Sequence, residues 1–374
     1  MTTFSVLLEP LGRTILADAE RSVLEAALAA GLNLPHSCKS GHCTSCRALL
    51  RAGEIAYPGG RRPAGLMAHE AEAGRVLLCQ AQPRSDLVLE VRSVFRAGAG
   101  IGADAVPGAA VEGGPGPEAA AAIEIRRLPC RIEAKRLLAP DVMQLFLRLP
   151  AVESMPFQPG QYLDVLLEGG RRRSFSIASP PHDSARLELH VRHAPAGGFT
   201  TALFDAMPVG TLLRIEGPIG QFIYAPSTAP LLLIAGGTGF APIKSLLRHV
   251  LEVEKTTRPV HFYWGARRAI DVYEHALVRG WTRRHPNLRF VPVLSEAGAQ
   301  PPEGDDAGVD GVARSWRAGW VHQVAAADLG HELSRCDVYV AGPPALVEAV
   351  RTDFSARGVD PAQLRFDSFD YAPS

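Results

Sequence analysis

Three cysteines within nine residues, Cys38, Cys43 and Cys46, together with Cys79, constrain this chain more than any other feature. The first three follow a Cys-x4-Cys-x2-Cys spacing, and 32 residues separate Cys46 from Cys79. Thiolates are soft ligands that suit iron, and this spacing is that of plant-type [2Fe–2S] centres. Gly41 allows the backbone between the ligands to curl. The small residues Ser37, Ser40, Thr44 and Ser45 let backbone N–H groups turn toward cluster sulfurs, a contact that tunes potential. Structural zinc is the rival reading. Zinc sites usually come as two short Cys/His pairs, and Cys79 has no near partner. A Rieske centre needs two histidines on one iron; His36 and His42 are close, but four cysteines already suffice. Cys130 and Cys336 fall outside the pattern and read as small buried residues.

The cysteine loop needs a scaffold, and its flanks supply one. Phe4, Val6 and Leu8 alternate as a half-buried strand does. Ser22 and Glu25 form a capping box for a helix carrying Val23, Leu24, Ala27 and Leu28, which Gly31 is placed to stop. Leu87 to Val91 reads as a closing strand. Then the composition shifts: between 97 and 122, twenty of 26 residues are Ala, Gly or Pro. No buriable period survives there, so a flexible linker is expected, with an r.m.s. reach of roughly 25–30 Å.

Beyond it, Ile132, Val142, Leu145, Leu147 and the run 161–166 suggest strands of an antiparallel barrel. After residue 229, short apolar strands alternate with helices: Leu231–Ala235, Val260–Trp264, Leu288–Leu294 and Val338–Ala341. The first leads through glycines into a helix with Ile243, Leu246, Leu247, Val250 and Leu251 on one face. That alternation predicts a parallel sheet with crossover helices. The expected boundaries are 1–95 for a cluster domain, 96–124 for the linker, 125–227 for a barrel and 228–374 for a dinucleotide domain.

Formal net charge is zero, which argues against non-specific nucleic-acid binding. No apolar run is long enough to span a membrane. No basic segment followed by an apolar core opens the sequence, and six cysteines so arranged suit a reducing compartment; the cytoplasm is therefore expected.

Three further motifs carry residue types suited to phosphate and ring-bearing ligands. In Arg173-Ser174-Phe175-Ser176 a guanidinium can pair with phosphate, an aromatic ring can cover a flavin, and a hydroxyl can sit near its reacting edge. Gly197-Gly198-Phe199-Thr200 offers close backbone approach to a diphosphate and a hydroxyl donor. Gly236-Gly237-Thr238-Gly239-Phe240-Ala241-Pro242 follows a strand and opens a helix, so its N–H groups can meet a second diphosphate at a positive helix end. Pro242 stands where the strict Rossmann pattern has its third glycine, and near the helix start its missing N–H costs little.

Together these segments resemble the ferredoxin–NADP⁺ reductase family with an added N-terminal ferredoxin domain. Pro35-His36-Ser37-Cys38-Lys39-Ser40-Gly41-His42-Cys43-Thr44-Ser45-Cys46, with Leu77-Leu78-Cys79-Gln80-Ala81, resembles the ferredoxin domain of oxygenase reductases and of CDP-6-deoxy-glucoseen reductases. Thr44 stands where many relatives have Gly. Phe175 replaces the usual Tyr of the flavin motif, which keeps the stack and loses a phenol hydrogen bond. Gly217-Pro218-Ile219-Gly220 is similar to the family's turn out of the barrel. Ala341-Gly342-Pro343-Pro344 is similar to the segment beside the nicotinamide, with Ala341 in place of Cys. Asp367-Ser368-Phe369 is similar to the C-terminal segment whose Phe shields the flavin. Tyr263 to Arg268 and Asp271 resemble the adenosine-side strand end; there an acid can bond ribose hydroxyls and an Arg can accept a 2′-phosphate.

The resemblance implies a multidomain α+β and α/β chain: a β-grasp ferredoxin domain, a six-stranded antiparallel flavin-binding barrel and a parallel α/β nicotinamide-binding domain. It implies Cys38, Cys43, Cys46 and Cys79 as cluster ligands. Arg173, Ser174, Phe175, Ser176, Gly197, Gly198, Phe199 and Thr200 would hold FAD, and Gly236, Gly237, Thr238, Gly239, Pro242, Arg267, Asp271, Gly342 and Pro343 the dinucleotide. Ser176 and Phe369 would act at the reacting flavin edge. NADH is the expected donor, with NADPH as the alternative. Electrons would pass from NAD(P)H through FAD to the cluster and on to an acceptor protein, either an iron–sulfur dehydrase or an oxygenase component. A non-catalytic redox sensor or carrier is a third reading.

Overall fold

In the computed structural model, the described residues are 2–30, 32–34, 36, 39–41, 46–91, 95–96, 125–168, 171–194, 198–296, 298 and 316–369. Cys38, Cys43, Gly31, Pro35, Ser37, His42, Thr44, Ser45, Gly197 and the linker over 97–124 lie outside them.

The first unit is a mixed sheet with one helix packed on it. Strands β1 (Thr3–Glu9), β2 (Arg13–Asp18), β3 (Arg47–Ala52), β4 (Arg75–Leu77) and β5 (Leu87–Glu90) stand in the order β2-β1-β5-β3-β4. β1 and β5 run parallel, as the β-grasp arrangement requires of its first and last strands. Helix α1 (Val23–Ala29) begins at the capping box read from sequence: Glu25 N–H donates to Ser22 Oγ, and the Glu25 carboxylate receives the Ser22 N–H. Its C-cap is Ala30. Val6, Leu8, Val23, Leu24, Leu77 and Leu89 form the core beneath it.

The second unit is an antiparallel barrel. Its strands are β6 (Arg126–Ala139), β7 (Val142–Arg148), β8 (Tyr162–Leu166), β9 (Arg172–Ser176), β10 (Arg186–Arg192) and β11 (Leu212–Ile219). The order is β9-β8-β11-β6-β7-β10, and a bridge between Ile177 and Leu189 closes the ring. Alternation sends Ile132, Leu145, Leu147, Val165, Leu187, Leu189 and Val191 inward, each fully buried. Helix α2 (Gly198–Asp205) follows β10 and covers one barrel end with Phe199 and Leu203.

The third unit is a parallel sheet of β12 (Leu231–Gly236), β13 (Val260–Ala266), β14 (Leu288–Leu294), β15 (Arg317–Ala318), β16 (Asp337–Gly342) and β17 (Leu364–Ser368), in the order β15-β14-β13-β12-β16-β17. Helices α3 (Phe240–Arg248), α4 (His275–Arg284), α5 (Val321–Leu329) and α6 (Pro344–Ala356) cross between strands. The order reverses between β12 and β16, and at such a switch point the strand ends open a crevice for ligands. Buried aliphatic side chains line both sheet faces, as parallel sheets demand.

Close backbone packing at that crevice explains one glycine. A Cβ on Gly239 would lie 2.0 Å from the Ala341 carbonyl oxygen. Only hydrogen fits there, so the glycine turn after β12 can nest against the end of β16. Gly239→Ala is therefore expected to destabilise this domain by at least about 1–3 kcal/mol through overpacking, measured as a lower denaturation midpoint. An unchanged midpoint would show that the two loops do not nest.

Candidate functional site

Two loops at the barrel–sheet junction gather most of the residues singled out in the sequence. β9 carries Arg173 to Ser176, and its register sets β8 against it: Tyr162 pairs with Ser176 and Asp164 with Ser174. Period-two alternation puts Arg173 and Phe175 on one face and Arg172, Ser174 and Ser176 on the other. Three consecutive arginines could compete for a phosphate, and their partners separate two of them. Arg172 is held by the Glu216 and Asp164 carboxylates, and Arg127 adds a second cation on Glu216. Burial pushes the Glu216 carboxyl up, but Arg172 and Arg127 together hold it below the usual range. Arg173 donates to the Arg172 carbonyl at 3.2 Å and has no ion pair among the described residues. Its charge is available to an anion.

Phe175 is half-buried and meets Phe199 at 5.8 Å between ring centroids. Gly198 opens α2 with nothing within 4 Å of where a Cβ would stand, so a diphosphate could approach its backbone. Thr200 is buried in the first turn of α2. Its hydroxyl accepts from the Ala194 N–H at 3.1 Å and donates to the Ala194 carbonyl at 3.2 Å. Its visible work is to close the loop that leads from β10 to α2.

Ser176 Oγ donates to Asp367 Oδ2 at 3.0 Å, across the junction from the end of β17. Asp367 is buried and joins Ser176 of the barrel to the end of β17. It was not singled out as a site residue; its position two residues before Phe369 is the one signal that could have found it. Phe369 is half-buried, and its N–H donates to the Gly342 carbonyl at 3.2 Å. Phe369, Gly342, Pro343 and the Ser176–Asp367 pair thus meet at one place.

On the dinucleotide side, Gly237 to Gly239 form a short turn before α3, and Pro242 is the third residue of that helix, within the first turn where N–H groups lack helical partners. Trp264 Nε1 donates to the Gly237 carbonyl at 3.0 Å and stacks on Phe240 at 4.0 Å. Arg192, at the end of β10, is a residue the sequence reading missed. A Cβ on Gly237 would come within 3.4 Å of its Nη1, so a barrel cation borders the dinucleotide loop. Asp271 lies in the turn after β13. It is buried and turned back on its own turn, where it accepts from the Arg268 N–H at 3.2 Å and pairs with the Arg268 guanidinium at 3.5 Å. Arg267 and Arg268 are exposed instead.

At the cluster end, Cys46 and Cys79 are buried, and the Leu78 N–H donates to the Cys46 carbonyl at 3.0 Å. A Cβ on Gly41, at φ +80°, would strike Pro63 Cβ at 2.8 Å and Gln80 Cγ at 3.0 Å. This tight, thiol-bearing cradle fits an iron–sulfur cluster. Three contacts tie it to the other units. His36 is buried against Tyr162 with ring centroids 6.0 Å apart, and burial, with Lys39 nearby, pulls its imidazole down to about 4. Lys39 pairs with Asp164 at 3.6 Å. Arg351 of α6 donates to the Ala64 and Gly65 carbonyls at 3.2 Å each, and the Gly65 N–H bonds Gly41.

Comparison with known proteins agrees with this division. Family models match in sequence order: a 2Fe-2S iron-sulfur cluster binding domain over 6–84, an oxidoreductase FAD-binding domain over 129–224 and an oxidoreductase NAD-binding domain over 233–352. The chain is 32% identical over 372 residues to the CDP-6-deoxy-L-threo-D-glycero-4-hexulose-3-dehydrase reductase of Yersinia pestis, covering 100% of this chain and 99% of that protein. It is 34% identical over 356 residues to reductase component 2 of the terephthalate 1,2-dioxygenase of a Comamonas species, covering 95% and 94%. A crystal structure of an Amycolatopsis cytochrome P450 reductase superposes with a TM-score of 0.70 at 29% identity, covering 98% of this chain and 99% of that one.

The contrast between neighbouring arginines gives a test. Arg173→Ala should weaken FAD retention by roughly 10- to 100-fold, the worth of a charge-assisted hydrogen bond, and leave the apoprotein's melting nearly unchanged. Arg172→Ala should instead lower that melting, because Glu216 and Asp164 lose their shared cation. Equal FAD loss in both variants, at equal stability, would remove the distinction.

Proposed function

The chain belongs to the family of iron–sulfur flavoprotein reductases that join a [2Fe–2S] domain to FAD- and NAD-binding domains, and from that premise we propose that it serves an iron–sulfur dehydrase acting on a CDP-linked 4-keto-hexulose. As an NAD(P)H oxidoreductase it moves electrons from NAD(P)H through FAD to its own cluster and on to a partner. The observation that carries the choice of partner is the match to the dehydrase reductase along 100% of this chain. A second reading, the reductase component of an oxygenase, is favoured by the 34% identity to the terephthalate dioxygenase reductase.

Within that reading, Cys38, Cys43, Cys46 and Cys79 hold the cluster. Arg173 binds flavin phosphate, Phe175 and Phe199 border the ring, and the Gly197-Gly198 backbone admits the diphosphate. Gly236 to Gly239 and Pro242 receive the nicotinamide dinucleotide's diphosphate, Gly342 and Pro343 border its nicotinamide, and Arg267 and Asp271 lie by its adenosine. Held by these residues, FAD would supply the conversion between two-electron and one-electron chemistry that links NAD(P)H to the cluster. Ser176 presents its hydroxyl at the reacting edge and Asp367 fixes that hydroxyl's direction. Phe369 covers the same edge until the nicotinamide arrives, which keeps water out. NADH is the proposed donor, on resemblance; the inward turn of Asp271 and the exposed Arg267 and Arg268 leave room for NADPH as well. No helix among the described residues is long and apolar enough to cross a membrane, and the proposed compartment is the cytoplasm.

Cys79→Ser divides the modules. The variant should lose the cluster's visible absorption and its cytochrome c reduction, while NAD(P)H–ferricyanide activity at the flavin remains within about twofold. Retention of both activities would mean that Cys79 is not a ligand. Rapid reoxidation of the reduced protein by the dehydrase, and not by a terephthalate-type oxygenase, is the expected result for the partner; the reverse preference would install the second reading.

A further inference from the structure

A buried ionic cluster lies on the seam between barrel and dinucleotide domain, outside every motif considered so far. Lys244 of α3 is 4% exposed, yet its Nζ donates to Glu188 Oε1 at 2.8 Å and to Glu274 Oε2 at 2.7 Å. Glu188 belongs to β10 of the barrel, whereas Glu274 precedes α4 of the dinucleotide domain. Glu188 Oε1 also receives Gln144 Nε2 and, at 2.9 Å, His190 Nε2. His190 Nδ1 meets the Tyr273 hydroxyl at 3.0 Å, and Arg136 approaches Glu274 at 3.9 Å. Beside them Ser245 Oγ donates to the Ser179 carbonyl at 2.8 Å, a further hydrogen bond across the seam. Burial pushes the Glu188 carboxyl up, but His190 and Lys244 outweigh it and hold it well below the usual range, so this carboxylate is ionised at neutral pH.

Glu188, His190 and Glu274 are residue types that bind divalent metals, and one ligand atom from each falls within 4.8 Å of the others. Lys244 bridges both carboxylates and takes the place such an ion would have. A cation supplied by a helix ties two domains where a diffusible metal could not be relied on.

The position of the cluster in the chain gives it a role. β10 runs from Glu188 into the loop that Thr200 closes and on to Gly198, the flavin diphosphate side. α3 starts just after Gly237 to Gly239, the dinucleotide loop, and reaches Lys244 within about one turn. Arg192 lies against Gly237 from the same end of β10. The two diphosphate loops therefore grow from the two elements that the buried ammonium clamps together. We infer that Lys244 is a positioning residue for reduction of the flavin: through Glu188 and Glu274 it fixes the dinucleotide loop relative to the flavin loop. This inference rests on the electron-transfer reading above.

The test uses the full chain loaded with FAD and cluster. Lys244→Met leaves two buried carboxylates uncompensated and can fail to fold, so the E188Q/K244M double variant, which removes opposite charges together, is made beside it, with K244R as the conservative control. In stopped-flow mixing with NADH, E188Q/K244M should lower the saturating rate of flavin reduction at least tenfold, with FAD content and cluster absorption equal to wild type. K244R should recover most of that rate. Scanning calorimetry should show barrel and dinucleotide domain melting together in the wild type and separately in E188Q/K244M. A saturating rate within twofold of wild type in E188Q/K244M overturns the inference, whatever the calorimetry. If NADH does not reduce the wild-type flavin, the electron-transfer reading fails instead, and a single shared melting transition in E188Q/K244M then overturns the clamp.

Discussion

One buried ammonium, shared by a carboxylate from the barrel and another from the dinucleotide domain, holds the catalytic half of this chain in register. Buried ion pairs are costly to desolvate, and their removal one partner at a time typically costs about 3–5 kcal/mol. Lys244 meets that cost with two short hydrogen bonds, and Gln144 and His190 satisfy Glu188 further. Aromatic rings also line the seam: Phe240 stacks on Trp264 and lies 6.0 Å from His190. A low-dielectric wall strengthens the charges it encloses. The result is a rigid joint at the place where two cofactors must meet at short range.

The cluster domain is attached by different physics. Among the described residues its ties include an aromatic contact between His36 and Tyr162, a partly exposed pair between Lys39 and Asp164, and Arg351 on two backbone carbonyls. Such contacts resemble transient interfaces more than a core. Tyr162 pairs in register with Ser176. His36 and Lys39 therefore pack beside the strand pair of β8 and β9, while α6 braces the cluster domain through Ala64 and Gly65. A firm joint at the hydride step and a lighter one at the electron step suit a molecule whose cluster must face two partners in turn.

Much of this was legible in the sequence. The Ser22–Glu25 box appeared as read, and strand β14 spans Leu288 to Leu294 as the apolar run suggested. The five apolar residues assigned to one face of the helix after the glycine turn are all buried. These features are local, or repeat with a fixed period, so a single stretch of chain carries the signal. Side chains that bend back on their own loop were harder. Thr200 and Asp271 have the right chemistry for a ligand, but each spends it on neighbouring backbone, which depends on rotamers the sequence does not display. Contacts across domains were out of reach. Lys244 meets Glu188 from 56 residues away, and Asp367 meets Ser176 from 191 residues away. No spacing rule links residues whose only relation is a domain interface.

The central claim is that electrons entering at the flavin leave through the chain's own cluster. Anaerobic single mixing with NADH, followed at flavin and cluster absorption bands with freeze-quench EPR, tests it most directly. Flavin bleaching should come first, then cluster reduction with the EPR signal of a reduced [2Fe–2S] centre, at a rate independent of protein concentration. A cluster that stays oxidised while the flavin is fully reduced, or one reduced only at a rate proportional to protein concentration, would contradict it.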